Sequence, residues 1–351
     1  MYRQPRSSDV LRSSATKHRA LRTAITFFLT LLLAGGLCLL FRRAETVPSR
    51  YQPLAQPVSS CIAESSALPT CITTALPKGT ASAVVSFSSQ RMASGRLLLI
   101  DREHPLPEER GTPNTFNILA TTHGSLTCRD TQAVLGADAM AALDDLFLTA
   151  RQAHINQLTI LRATLSPQQQ KALQIERFCE LAETLPLENA LTQTLHEIAA
   201  PGCSEHQTAW AVDIRICDGW DKLPRSEPLN RSKEGRWLLE NCWRYGLIYR
   251  YPDNAASAEP GCAAYHFRYV GRAHAAMMHA LSLSLEDYLQ LLHEQGVLTL
   301  WNAAGQPQCT VLCALANPDL SVYVPVQAQL EDVSLDNLGW GIAAYLWPPG
   351  A

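Results

Sequence analysis

The chain has 351 residues, enough for one large domain with appendages or for two ordinary domains. Hydrophobic residues make up 47% and charged residues 17%, which supplies material for a real core and excludes general disorder. A formal net charge of −3 leaves no strong basic field; this argues against nucleic acid as a partner and is silent on a small neutral or anionic substrate.

Residues 23–41, TAITFFLTLLLAGGLCLLF, carry no charge, and as a helix they cover roughly 28 Å, close to a bilayer core. Arg3, Arg6, Arg12, Lys17, Arg19 and Arg22 precede the run, and only Arg42, Arg43 and Arg50 follow it closely. This excess places residues 1–22 in the cytoplasm and the rest of the chain outside. Arg42 and Arg43 stand where a small-residue cleavage site would lie, and the run is longer than the apolar part of a usual signal peptide. A single-pass membrane anchor over 23–41 is therefore expected. The Ser-, Pro- and Thr-rich stretch 42–80 reads as a linker. Of the eleven cysteines, Cys38 lies in the apolar run, and the remaining ten fit disulfides in an oxidising exterior without revealing their pairing. Cys309 and Cys313 have no matching second pair, so they read as a disulfide or two free thiols rather than as half a metal site.

Order is expected from Ala81. SAVVSF and GRLLLID read as strands with a turn at 93–95, and HPLPEERGTPN as loop. Apolar residues at helical spacing predict a helix over 133–153, and LTIL (158–161) is a short buried strand. Ser166 followed by Pro167 opens a helix over 166–185, and 190–200 forms another, stopped by Pro201-Gly202. AWAVDIRI (209–216) is a strand. GRWLLENCWRYG (235–246) is a helix ended by Gly246, LIYRY and HFRYVG are strands, and 284–296 is a helix with a Ser cap and a Gly stop. Residues 297–351 read as a small β-rich module, with strands near VLTLWNA, SVYVPV and GWGIAAYLW.

Three stretches carry the chemistry: PGCSEHQTAWAVDI (201–214), WLLENCWRYGLIYRYP (237–252) and YHFRYVG (265–271). In order and spacing they resemble the zinc D-alanyl-D-alanine carboxypeptidases and D-Ala-D-Ala dipeptidases, the VanY-like group, over residues 81–296. The resemblance implies an α+β fold, helices packed on a small mixed or antiparallel sheet with a zinc cleft. It implies Zn²⁺ held by His206, Asp213 and His266, three ligands that leave a position open for water. Ser204 is expected to support the site by hydrogen bonding, and Trp237, Tyr245, Arg250 and Tyr251 to serve as framework. The implied substrate is a peptidoglycan stem peptide, trimmed at its terminal D-Ala.

The chain departs from that family where catalysis is expected. The family's general base, a Glu three residues before the last ligand, is Ala263 here, and the nearest acid is Glu259, a substitute base if the intervening residues bulge. The family's Arg in a Tyr-Arg-Ser-x-x-x-Gln segment is Leu165 within TLSPQQQ, with Ser166 and Gln170 matching and Arg162 three residues away. Ala209 replaces a Gly. Two readings follow: a membrane-anchored zinc carboxypeptidase, or a zinc- and peptidoglycan-binding protein without turnover. Elsewhere, His196-Glu197 lacks the second His of an HExxH motif, and His274 and His279 read as surface or supporting residues on a helix.

Overall fold

The computed structural model describes residues 71–78, 82–86, 95–106, 114–219, 222–252, 265–315 and 321–348. The apolar run 23–41, Glu259 and Ala263 lie outside these residues. Among the described residues no helix is long and apolar enough to cross a membrane.

In chain order the elements are β1 (Cys71–Thr73), β2 (Ser82–Ser86), β3 (Thr115–Asn117), α1 (Ile118–Thr122), β4 (Val134–Gly136), α2 (Ala137–Gln152), β5 (Leu158–Arg162), α3 (Pro167–Ala182) and α4 (Leu187–Glu197). They continue with β6 (Ala211–Ile216), α5 (Lys233–Asn241), β7 (Leu247–Tyr249), β8 (His266–Tyr269), α6 (Arg272–Leu281) and α7 (Leu285–Gln295). The last are β9 (Val297–Trp301), β10 (Pro307–Leu315), β11 (Ser321–Pro325), β12 (Gln329–Leu335) and β13 (Trp340–Leu346).

Two antiparallel sheets organise this mixed fold. The first has the order β5-β6-β8-β7, and α2 covers it, burying Met140, Leu143, Leu146 and Phe147 in a cluster with Ile160, Val212, Ile214 and Phe267. The second has the order β1-β9-β10-β13-β12 and shares a core with α6 and α7, where Met277, Tyr288 and Leu292 meet Leu298, Val311 and Ile342. β1 lies inside the stretch read as linker and pairs with β9.

Local chemistry explains the helix ends. Ser166 Oγ accepts from the Gln169 N–H while the Gln169 side chain accepts from the Ser166 N–H, a capping box ahead of α3 with Pro167 in its first turn. Ser284 caps α7, whose first turn carries Glu286 and Asp287. After α5 a 3-10 turn (Cys242–Tyr245) ends at Gly246 with φ 83°, where a Cβ would sit 2.8 Å from the Gly271 carbonyl carbon.

The structure corrects several expectations. GRLLLID is no strand, although Leu97–Ile100 are buried. Side chains satisfy its backbone: Arg268 Nη2 donates to the carbonyls of Gly95, Arg96 and Leu98, and Asn337 bonds both the N–H and the carbonyl of Leu99. α2 begins at Ala137 because Val134–Gly136 pair with β3. α4 covers Leu187–Glu197, starting and ending three residues earlier than the sequence suggests. β10 and β12 were not anticipated; register shifts at Pro307/Cys309 and Leu330/Asp332 break the alternation that reveals a strand. Cys128, Cys179, Cys203, Cys217 and Cys242 are free thiols, against the expectation of disulfides, and Cys309 and Cys313 are free thiols, the second of their two expected states. For Cys309 and Cys313 the reason is geometric: four residues along one strand separate them by roughly 13 Å, beyond disulfide reach.

Candidate metal centre

The sheet register builds the centre. Asp213 on β6 stands directly opposite His266 on β8. His206 comes from the 3-10 turn Glu205–Thr208 just before β6, which ends at Ala209 in the left-handed region, φ 66°. The three side chains are buried, and one potential ligand atom from each lies within 4.8 Å of the other two. His206 Nε2 is 3.2 Å and His266 Nδ1 is 3.0 Å from the same Asp213 oxygen.

The far nitrogens decide what those near ones can do. His206 Nδ1 lies 2.8 Å from the Ala163 carbonyl, and His266 Nε2 lies 3.0 Å from Glu205 Oε2. A carbonyl and a carboxylate only accept, so both far nitrogens carry hydrogen. In the neutral imidazoles the near nitrogens then offer lone pairs, and two lone pairs and a carboxylate oxygen converge on one point. Such an arrangement is repulsive without a cation, and two imidazoles with one carboxylate are a donor set suited to Zn²⁺. The residues therefore fit the metal. A proton can stand in for it. Burial lowers the His266 pKa, but hydrogen bonds to Asp213 and Glu205 outweigh burial and carry it up to about 9. Burial raises the Asp213 carboxyl, and His206 and His266 together hold it far below the usual carboxylate range.

Glu205 is the residue that sequence reading missed. It is buried, and its carboxylate accepts from Arg250 Nε at 2.9 Å and pairs with Arg268 Nη1 at 3.1 Å besides His266. Burial opposes its charge, yet Arg268, Arg250 and the His266 hydrogen bond hold its pKa well below the ordinary value. Arg250 also makes a two-armed pair with Glu286 in the first turn of α7. A signal was present: β8 is HFRY with all four residues buried, and a buried arginine demands a buried partner.

The surrounding cleft is lined by Ile100, Arg102, Arg162, Gln170, Glu197 and Tyr251. Arg162, at the end of β5 after a register shift, reaches Asp213 with Nη1 at 3.5 Å while 41% of its side chain stays exposed. Leu165 lies beside the centre through its backbone, its N–H donating to the His206 carbonyl at 3.0 Å. Tyr251 stacks against His266 with centroids 5.6 Å apart. Ser204 lines the cleft but contributes its carbonyl, which accepts from the Gln207 N–H; its hydroxyl reaches no ligand among the described residues, contrary to expectation. Glu197 is held by Arg177 at 2.5 Å, a hydrogen bond that lowers its pKa and suits it poorly to take up a proton. His274 is no surface residue: it is fully buried, 2.9 Å from the Tyr288 hydroxyl, and burial pulls its pKa down to about 3.

The family model described as "VanY: D-alanyl-D-alanine carboxypeptidase" matches residues 132–272, a span that contains all three ligand residues. Over that span the chain is similar to the VanY family of D-alanyl-D-alanine carboxypeptidases. It is 23% identical over 273 residues to a D-alanyl-D-alanine carboxypeptidase of Enterococcus faecium, covering 75% of this chain and 78% of the relative. It is 34% identical over 106 residues to the bifunctional D-Ala-D-Ala dipeptidase and carboxypeptidase VanXYC of Enterococcus gallinarum, covering 29% of this chain and 54% of that relative. In fold it is similar to the D,D-dipeptidase VanXYg solved with a D-Ala-D-Ala phosphinate analogue, with a TM-score of 0.57 and 18% identity over 76% of this chain and 99% of the other. The matched span includes His206, Asp213 and His266, the group that could hold a metal.

Proposed function

We propose that this chain is a zinc-dependent D-alanyl-D-alanine carboxypeptidase that trims peptidoglycan stem peptides, anchored in the cell membrane by residues 23–41 with residues 1–22 in the cytoplasm and the peptidase domain outside. The observation that carries the reading is the converging His206, Asp213 and His266 set with both far imidazole nitrogens already committed. When bound there, zinc polarises a peptide carbonyl and activates water near neutral pH. His206, Asp213 and His266 hold it. Arg162 is the part-exposed cation of the cleft next to Asp213, and it takes over the electrostatic duty that Leu165 cannot perform. Glu259 is the acid proposed to accept the proton, since the methyl group of Ala263 cannot.

The two substitutions support a second reading, in which the centre binds metal and stem peptide without turnover. The test is release of free D-Ala from a pentapeptide ending in D-Ala-D-Ala, using the zinc-loaded full chain. Release abolished by chelator and by His206→Ala establishes the carboxypeptidase. Stoichiometric zinc and measurable peptide binding without release establish the binding protein.

A further inference from the structure

We infer that Glu205 is a positioning residue that selects which nitrogen His266 offers to the metal, holding Nε2 so that Nδ1 faces Asp213 and His206. This rests on the metal reading above, and it adds a residue and a duty that the ligand set alone does not contain.

The geometry separates this duty from mere charge balance. Glu205 sits between two buried arginines, so a carboxylate there could be explained as their counter-charge. The hydrogen bonds are not distributed that way. Oε2 is spent on His266 Nε2 at 3.0 Å, and Oε1 on Arg250 Nε at 2.9 Å. Arg268 Nη1 stands 3.1 Å from the same Oε1, and its Nη2 serves backbone carbonyls. Both arginines thus meet Oε1, and Oε2 is left to the imidazole. Arg250 fixes the other oxygen, and its remaining nitrogens are anchored to Glu286 on α7. The ring plane is set by Tyr251, which stacks on His266 at 24° while the Arg250 guanidinium lies over the Tyr251 ring at 4.7 Å. His266 thus has Nε2 held by Glu205, one stacked face, and Nδ1 turned toward Asp213. An anion on the far nitrogen also raises the basicity of the near one, and loss of such a partner typically costs 10–100-fold in metal affinity.

The test uses the full chain in detergent, labelled with ¹⁵N-histidine, with zinc alone as the probe. Imidazole ¹⁵N shifts report which nitrogen carries hydrogen and which binds metal. The wild-type protein is expected to show one histidine protonated at Nε2 and bound through Nδ1, absent from His266→Ala. Glu205→Ala should weaken zinc binding by roughly 10²-fold and abolish that single-tautomer signal, and Glu205→Gln, whose one amide oxygen must serve either Arg250 or His266, by about 10-fold. Folded Glu205→Ala protein with wild-type affinity and an unchanged tautomer would overturn the inference. If Glu205→Ala does not fold, Glu205→Gln decides in the same way, because it keeps the shape of the side chain. Failure of the wild-type chain to bind zinc would remove the metal reading itself, whereas wild-type binding with unaltered variants would remove only the role of Glu205.

Discussion

The two sides of the cleft follow opposite rules. On the sheet side a run of partnered polar groups surrounds His206, Asp213 and His266, from the Ala163 carbonyl through Glu205 to Arg250 and Glu286. On the solvent side Arg162 lines the cleft 41% exposed, with a 3.5 Å contact to Asp213. A buried polar network cannot lose a member without stranding the others, so it resists substitution. A solvent-facing catalytic group has no such neighbours and can be replaced at little cost to folding.

The sharpest way to break the comparison is to cut the sheet side. His206→Ala should reduce zinc affinity by more than the roughly 10²-fold ceiling for loss of an outer partner, with D-Ala release lost in parallel. Metal analysis after dialysis reads the first and an amino-acid assay the second. For the proposed base, Glu259→Gln is expected to lower turnover about 10²–10⁴-fold with one zinc per chain retained, and unchanged turnover would remove Glu259 as the base. Arg162→Leu should cost roughly 10²–10³ in kcat, again with zinc retained, which separates electrostatic help from metal holding. A fall in zinc content instead would assign Arg162 to the sheet side.

The smallest effect concerns the hinge between the sides. Ala209 is fully buried at φ 66°, a conformation that costs an L-residue about 1–3 kcal/mol. Ala209→Gly relieves it against the greater unfolded-state freedom of glycine, for a net gain of about 1 kcal/mol in thermal or denaturant unfolding. A loss of stability would mean that the buried methyl group contributes more than the strain removes.

Legibility in the sequence tracks the range of the interactions. The capped helices α3 and α7, the strand β6 and the Gly246 stop were readable because their signals lie within a few residues. His206, Asp213 and His266 were singled out through the family resemblance, and the structure brings these three together as a group that could hold a metal. GRLLLID was misread because its backbone partners, Arg268 and Asn337, come from about 170 and 238 residues away. β10 and β12 escaped because bulges interrupt their alternation.

By itself the sequence supplied the resemblance to the VanY-like group, the three candidate ligand positions that resemblance implies, and the departures at Leu165 and Ala263, since residue identity in matching blocks is all these require. Only the tertiary structure placed Glu205 rather than Ser204 in hydrogen-bond contact with His266, set Arg162 3.5 Å from Asp213, and tied α7 to His266 through Arg250 and Glu205. Each of these depends on the direction of a side chain in a shared buried space. That direction is set by pairing register and by the need to satisfy charge away from water, and neither is written in local sequence.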